Sequence, residues 1–397
     1  MTTDHHATGR LLLTACIISF ATFLGSYMRI PIVPLFATSL GADTVQVGLI
    51  NGGFMLMAGG LSIPSGLLSD RLGRRIPILG AMLLLAGSSL LLYWSRTPLQ
   101  MGIIYLLFGI GLSAFSPTLM SYVADITPPE LLGRAYGWYT MALYGGMTIG
   151  PAVGGFCGTT WGLRPVFLIA GGVICAMFFV ALLLLSHPPI HQRTGPPPVI
   201  LPALKSLLGN RRLVACLVAT VGGCLGFGMF VTFMPLYIRS QRLSTGGVGI
   251  VFAAQALSNA LSRIPVGRLY DRIEDRRVFV GGGLGLFGLA LAGFALCRGL
   301  PALTAAAVVM GLGMGTAFTV ICALIVEAVP RSSRGLAMGC YNTSIYAGMM
   351  VSSAGMGGVI RSAGYGTGFV LSGAAVVTVL LLFLATYPRH RAAPDEA

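Results

Sequence analysis

Long apolar runs, separated by short polar turns, fill almost the whole chain. A run of about 20 apolar residues crosses the hydrocarbon layer of a bilayer as a helix. On that measure the pattern predicts spans near 11–37, 45–68, 77–94, 101–125, 134–158, 165–186, 212–238, 244–268, 278–297, 301–326, 335–360 and 366–387. The first run is too long for the apolar core of a signal peptide and has no small-residue cleavage site, so it is expected to stay as a helix. The expected fold class is an all-α membrane protein with twelve transmembrane helices, multi-pass in the plasma (inner) membrane.

The longest hydrophilic stretch, His187 to Arg212, carries Pro188, Pro189 and Pro196 to Pro198, which favour extended backbone. It divides the chain into an N-terminal six-helix bundle (1–186), a cytoplasmic linker (187–211) and a C-terminal six-helix bundle (212–397). The two halves are repeats. At an offset of 201, Pro34/Pro235, Gly48/Gly249, Pro64/Pro265, Gly66/Gly267, Asp70/Asp271, Arg71/Arg272 and Arg75/Arg276 coincide. At an offset of 202, Pro128/Pro330, Gly133/Gly335 and Gly137/Gly339 coincide, and Asp125 faces Glu327. Two equal bundles with pseudo-two-fold symmetry about the membrane normal imply a rocking transporter, with its solute site between them near the midplane.

Composition sharpens this picture. Only 9% of residues are charged and 55% are hydrophobic, against about 25% charged in soluble domains, which excludes an ordinary cytosolic enzyme. The net charge of +14 would suggest nucleic acid in a soluble protein, but sorting by loop removes that reading. With the N-terminus inside, the outer loops hold only Arg96, Arg164, Arg239, Arg242, Arg298 and Arg361; apart from Arg29 and Arg263, all other basic residues fall on the inner side. The positive-inside rule then places both termini in the cytoplasm and requires no nucleic-acid partner. The eight cysteines lie in or beside apolar segments without a C-x-x-C or a nearby histidine, so neither a disulfide framework nor a metal or cofactor site is expected.

The loop after the second span reads Gly66-Leu-Leu-Ser-Asp70-Arg71-Leu-Gly73-Arg74-Arg75. Glycine there allows close helix approach, an aspartate ends a helix, and a basic cluster meets the inner headgroups. This string resembles the signature between helices 2 and 3 of the major facilitator superfamily, and the resemblance covers essentially the whole chain. It implies an interhalf charge network that holds an outward-open state, joined by a carboxylate at the inner end of helix 4. Gly66, Asp70, Arg71, Gly73, Arg74 and Asp125 match that conformational latch. Asp271, Arg272 and Glu327 stand at the repeated positions, although Glu274 replaces the second glycine.

The fifth span carries Gly146, Gly150, Pro151, Gly154 and Gly155. Glycines four apart line one helix face, and proline bends the helix. Close packing alone would account for a bare G-x-x-x-G; the full string is similar to the helix-5 motif of drug:proton antiporters and favours export. That branch also carries an arginine four residues before a helix-4 glycine, where this chain has Tyr105.

Every acidic residue and every histidine lies in a tail, a loop or a span end. The charges inside spans are Arg29 and Arg263. A charge in a span is costly and by default faces a cavity or a partner. Arginines in the two halves could grip one anionic group between them; the alternatives, for each, are snorkelling to an interface or an ion pair with the latch. The surroundings of Arg263 resemble the helix-8 arginine region of monocarboxylate transporters, with Asn259 in place of an acid. Further candidate lining residues are Tyr27, Tyr105, Tyr122, Tyr144, Gln255, Asn259, Asn342 and Tyr346, each also able to serve as a helix-helix hydrogen bond.

The expected function is secondary transport by alternating access of a small organic, anionic or amphiphilic solute. Export or antiport is favoured, with organic-anion uptake or exchange as the alternative. Expected partners are the solute, protons or a counter-solute, and membrane lipid, with the protein acting as a monomer. An intramembrane enzyme would need a nucleophile with a base, or a metal cluster, in the spans, and the spans contain neither.

Overall fold

The computed structural model describes residues 2–128, 131–185, 200–270, 275–330 and 333–387, and every regular element among them is helical. In chain order these are α1 (Thr2–Met28), α2 (Ile32–Ser39), α3 (Thr44–Gly60), α4 (Ser62–Leu72), α5 (Arg75–Trp94), α6 (Pro98–Asp125), α7 (Leu132–Thr160), α8 (Leu163–Leu184), α9 (Ile200–Leu208), α10 (Arg211–Ser240), α11 (Thr245–Tyr270), α12 (Arg277–Gly293), α13 (Gly299–Ala328) and α14 (Arg334–Thr386). Among the described residues seven helices are long and apolar enough to cross a membrane, treating α1 and α2 as one run, and the bent pair α3–α4 makes an eighth.

Helix ends follow local chemistry. Asp43 caps α3 by accepting the Gln46 N–H at 2.8 Å, while the Gln46 side chain accepts the Asp43 N–H at 3.1 Å. Thr97 caps α6 ahead of Pro98, and Asn210 caps α10 through the N–H groups of Arg212 and Leu213. Three features depart from uniform spans. The first run breaks at Arg29 to Pro31, where proline offers no N–H to the ladder. The second bends by 40° beside Leu61. The last two expected spans run on as α14, interrupted by Gly364 at φ 83°. Within the expected linker, α9 forms a short helix that the prolines before it did not announce.

The helix ends gather at two poles. One pole holds Asp43, Ser95, Arg164, Gln241, Cys297 and Arg361, tied by Arg164 to the Ser95 carbonyl, Gln241 to the Cys297 carbonyl, and Arg361 to Asp43. The other holds Arg74, Asp125, Arg276, Glu327 and Tyr387. They are called here the Asp43 end and the Arg74 end.

The glycine string of α7 explains how α1 docks. A Cβ at Gly146 would strike the backbone of Phe20 and Leu24, one at Gly150 that of Leu24 and Met28, and one at Gly154 that of Met28. Three glycines four residues apart thus run along α1 and bring the two backbones together. Gly155, one residue on, turns to the second half, where its Cβ would lie 2.7 Å from the Cα of Gly249 in α11. At the same end Gly48 abuts the Ser353 carbonyl, and Gly357 abuts Thr44, whose Oγ1 donates to the Gly357 carbonyl at 2.9 Å. Toward the Arg74 end this closeness disappears. A Cβ at Gly66, Gly137 or Gly267 would meet nothing within 4 Å, and one at Gly339 would only reach Ile63 at 3.9 Å. The halves are therefore joined at the Asp43 end and part toward the Arg74 end.

Gly154→Leu is expected to overpack the α1–α7 contact, because the obstruction is backbone and cannot rotate away. Overpacking costs roughly 1–3 kcal/mol, so thermal unfolding of the purified variant should begin several degrees below wild type. An unchanged melting curve would show that the contact yields.

Candidate functional site: a tyrosine-framed arginine between the halves

Arg263 stands on α11, half-buried. Its Nε donates to Asn259 Oδ1 one turn earlier at 3.1 Å, and its guanidinium lies over the Tyr144 ring of α7, 4.9 Å from the centroid. This contact bridges the halves. The negative face of an aromatic ring attracts a guanidinium, by about 0.5–1 kcal/mol at an exposed site. Tyr341 of α14 is within electrostatic reach of both Arg263 and Tyr144, and Tyr27 of α1 is within reach of Tyr144, Tyr346 and Tyr105. Among the described residues no carboxylate pairs with Arg263. The arrangement is one cation framed by tyrosines from both halves, able to hold an anionic or aromatic group without a built-in counter-ion.

The structure brings together Arg263, Asn259, Tyr144, Tyr27 and Tyr346 from the sequence candidates. Asn342 is exposed on α14 close by in sequence. Tyr105 and Tyr122 are fully buried in the first half, Tyr105 stacked on Phe108 and tilted against Phe54. Gln255 lies inside the second half with its amide 3.5 Å from Met314 Sδ. Tyr341 was missed by sequence reasoning. The available signal was internal symmetry, since Tyr144 and Tyr346 share the 202-residue offset of the repeats, and Tyr341 sits beside that pair.

Arg29 occupies a different environment. It has no exposed surface, its Nη1 donates to the hydroxyls of Ser88 (3.4 Å) and Ser89, and its guanidinium lies 3.5 Å from the Phe108 ring centroid. Tyr105 is its electrostatic neighbour. Thus a guanidinium from the break between α1 and α2 sits beside the α6 tyrosine that stands where the antiporter pattern has an arginine. Arg29 and Arg263 share no partner in this conformation.

At the Arg74 end each half closes its own charge pair. Arg74 Nε meets Asp125 Oδ2 at 2.8 Å and its Nη1 donates to Ser69. In the second half, Arg276 Nη1 donates to Glu327 Oε1 at 2.6 Å and stacks on Tyr270, whose hydroxyl donates to the same oxygen. Arg276 therefore does the work of Arg74, at the 202 offset, where the motif alignment at 201 set it against Arg75. Gly73, at φ 77°, gives the turn that leads into Arg74. Arg71 is exposed. Asp271 and Arg272 lie outside the described residues, as does the side chain of Asp70.

A polytopic helical protein with two repeated halves joined at one end and a polar contact between them has the architecture of a membrane transporter. The chain belongs to the Major Facilitator Superfamily, whose model matches residues 15–248 and 242–397. That is a family of multi-pass membrane transporters rather than enzymes. Over 344 residues the chain is 25% identical to an uncharacterized MFS-type transporter, MJ1560, of Methanocaldococcus jannaschii, covering 86% of this chain and 89% of that protein. It is 29% identical over 188 residues to the multidrug resistance protein MdtG of Proteus mirabilis, a match covering 46% of each chain. MdtG of Escherichia coli K12 is 26% identical over 207 residues, 47% of this chain and 50% of that one. The matches to MdtG thus span about half its length. In fold, the chain resembles a bacterial homolog of the human lysosomal transporter Spinster, in an inward-facing and unoccupied conformation (TM-score 0.77, 17% identity, 96% of both chains). It also resembles the nucleoside transporter NupG (TM-score 0.78, 16% identity, 96% and 99% covered).

The Asp43 end offers a pH test. The Gln46 backbone N–H holds the Asp43 carboxyl below its usual range, with Arg361 of the other half, 3.3 Å away, acting the same way. The Gln46 bond belongs to α3 itself and persists in either state, so only the Arg361 share of the depression stabilises the joined state, in full above the free carboxylate value and lost as pH falls through the lowered one. Spin-label distances across this end should therefore stay constant from neutral to mildly acidic pH and lengthen only below the ordinary aspartate range. In Asp43→Asn the separated population should be larger and independent of pH across that window.

Proposed function

We propose that the chain is an exporter that moves a small anionic or amphiphilic organic solute by alternating access, as a monomer in the inner membrane. In this reading twelve spans form bundles 1–186 and 212–397, the linker 187–211 and both termini are cytoplasmic, and the Arg74 end faces the cytoplasm. The observation that carries it is Arg263 set over Tyr144 across the bundle interface, framed by Tyr27, Tyr341 and Tyr346 and without a carboxylate partner among the described residues. With Nε on Asn259 and its face on the Tyr144 ring, the guanidinium keeps its two Nη groups for an oxyanion, and tyrosines suit an aromatic body. The α7 glycine string and the multidrug-resistance names of relatives support export. The latch of Gly66, Asp70, Arg71, Gly73, Arg74 and Asp125, with Asp271, Arg272 and Glu327, would steer the cycle from the cytoplasmic end. Because acids stand only in tails, loops and span ends, coupling would come from a proton carried by the solute, from a counter-solute, or from Asp125 and Glu327.

Proteoliposome flux of benzoate, as an aromatic carboxylate, and of a matched aromatic cation separates the readings. Arg263→Lys keeps the charge but loses the bidentate fork, so affinity for benzoate should fall about tenfold, and Arg263→Ala should abolish specific flux. Undiminished benzoate flux in Arg263→Ala, or transport of the cation alone, would overturn the anion assignment. Inward accumulation driven by a proton gradient would replace export by uptake.

A further inference from the structure

Arg29 carries chemistry that the solute site does not use. It is wholly buried inside the first half, where α1 breaks. Its Nη1 is engaged by Ser88 and Ser89 and its face by Phe108, yet Nε and Nη2 have no partner. Those two N–H groups lie parallel on one edge of the guanidinium, the edge that takes an anion in bidentate fashion. Guanidinium stays protonated in proteins, so the edge is a desolvated positive charge. The described carboxylates are committed elsewhere: Asp43 to Arg361, Asp125 to Arg74, Asp275 to Arg277 and Glu327 to Arg276.

The neighbourhood is polar and equally unsatisfied. The hydroxyl of Tyr105, in electrostatic contact with Arg29, is buried without a partner. On the last turns of α1 before the break, the hydroxyls of Ser26 and Thr22 are likewise buried without a partner. A cation edge and a neighbouring tyrosine hydroxyl, both buried and both unpaired, together lack an acceptor.

We propose that Arg29 holds a small monovalent anion, a halide or a small carboxylate, occluded inside the first half and separate from the solute site at Arg263. The ion is the counter-charge that the spans themselves omit, and Tyr105 donates to it from α6 while Ser88 and Ser89 fix the guanidinium from α5.

The test uses the purified full-length protein in gluconate buffer, titrated with radiolabelled chloride and, separately, with radiolabelled formate in equilibrium dialysis. It does not depend on transport, so it stands or falls apart from the proposed function. Wild type should bind one of the two saturably, and at saturation its melting temperature should rise by about 3 °C. The tighter of the two identifies the ion. Arg29→Lys retains the charge but not the parallel edge and should weaken binding at least about tenfold. Arg263→Ala should bind the ion as wild type does. If Arg29→Lys does not fold, Tyr105→Phe gives the reading: weakened binding supports the site, and unchanged affinity overturns it. No saturable binding of either ion, equal binding by Arg29→Lys, or loss of binding in Arg263→Ala would each overturn the proposal.

Discussion

In a lipid surround helices gain little from burying apolar side chains against one another, so association depends on how closely backbones can approach. The structure rests on that constraint. Gly146, Gly150 and Gly154 let α7 lie directly on α1, and Gly155 with Gly249 lets α7 meet α11 of the other half. One short string therefore builds the first half and also joins it to the second. Neighbouring small residues repeat the device where Gly48 and Gly357 bring α3 and α14 together. The tyrosines around Arg263 owe their nearness to these contacts, since Tyr144 rides on α7 and Tyr346 on α14.

Charge obeys a complementary rule. Burying an ion in hydrocarbon is costly, and the described carboxylates Asp43, Asp125, Asp275 and Glu327 stand at helix ends and in loops, each met by an arginine. Arg74 with Asp125 and Arg276 with Glu327 each tie a loop to a helix end within one half. Such half-exposed pairs contribute modestly to stability, about 1 kcal/mol or less. Their value is geometric, because they fix where each basic loop sits relative to its own bundle.

Much of the fold is legible in the sequence. Most expected spans coincide with observed helices to within a few residues, where apolar length and the caps at Asp43, Thr97 and Asn210 mark their ends; the first two, which break or bend, and the last two, which run on as α14, do not. The repeat offsets show which residues play equivalent parts, Tyr144 and Tyr346 included. Less legible is where a side chain points from a helix that is apolar all round. Arg29 and Arg263 look alike as lone arginines in spans, yet Arg29 turns into the first half against Phe108 and Arg263 turns to the interface over Tyr144. The choice is made by Ser88 and Ser89 on another helix, about 60 residues away. The one-residue slip that makes Arg276 the counterpart of Arg74 was equally hidden, because identity at offset 201 is stronger in the motif than at the pair itself.

The two ends of the molecule then differ in kind. At the Asp43 end the halves meet backbone to backbone, with Gly155 against Gly249 and Thr44 bonded to the Gly357 carbonyl. Van der Waals attraction at such a contact falls steeply once a gap of even 1 Å opens. Packed interfaces of this sort have discrete arrangements rather than a continuum. Separation at this end is therefore all-or-none, and the added Asp43–Arg361 pair acts over a longer range than the glycine contacts it accompanies. At the Arg74 end the ion pairs among the described residues, Arg74 with Asp125 and Arg276 with Glu327, each close within one half. A fold that closes one end by shape, with those two pairs each inside a single half at the other, can part at the Arg74 end with both of them intact.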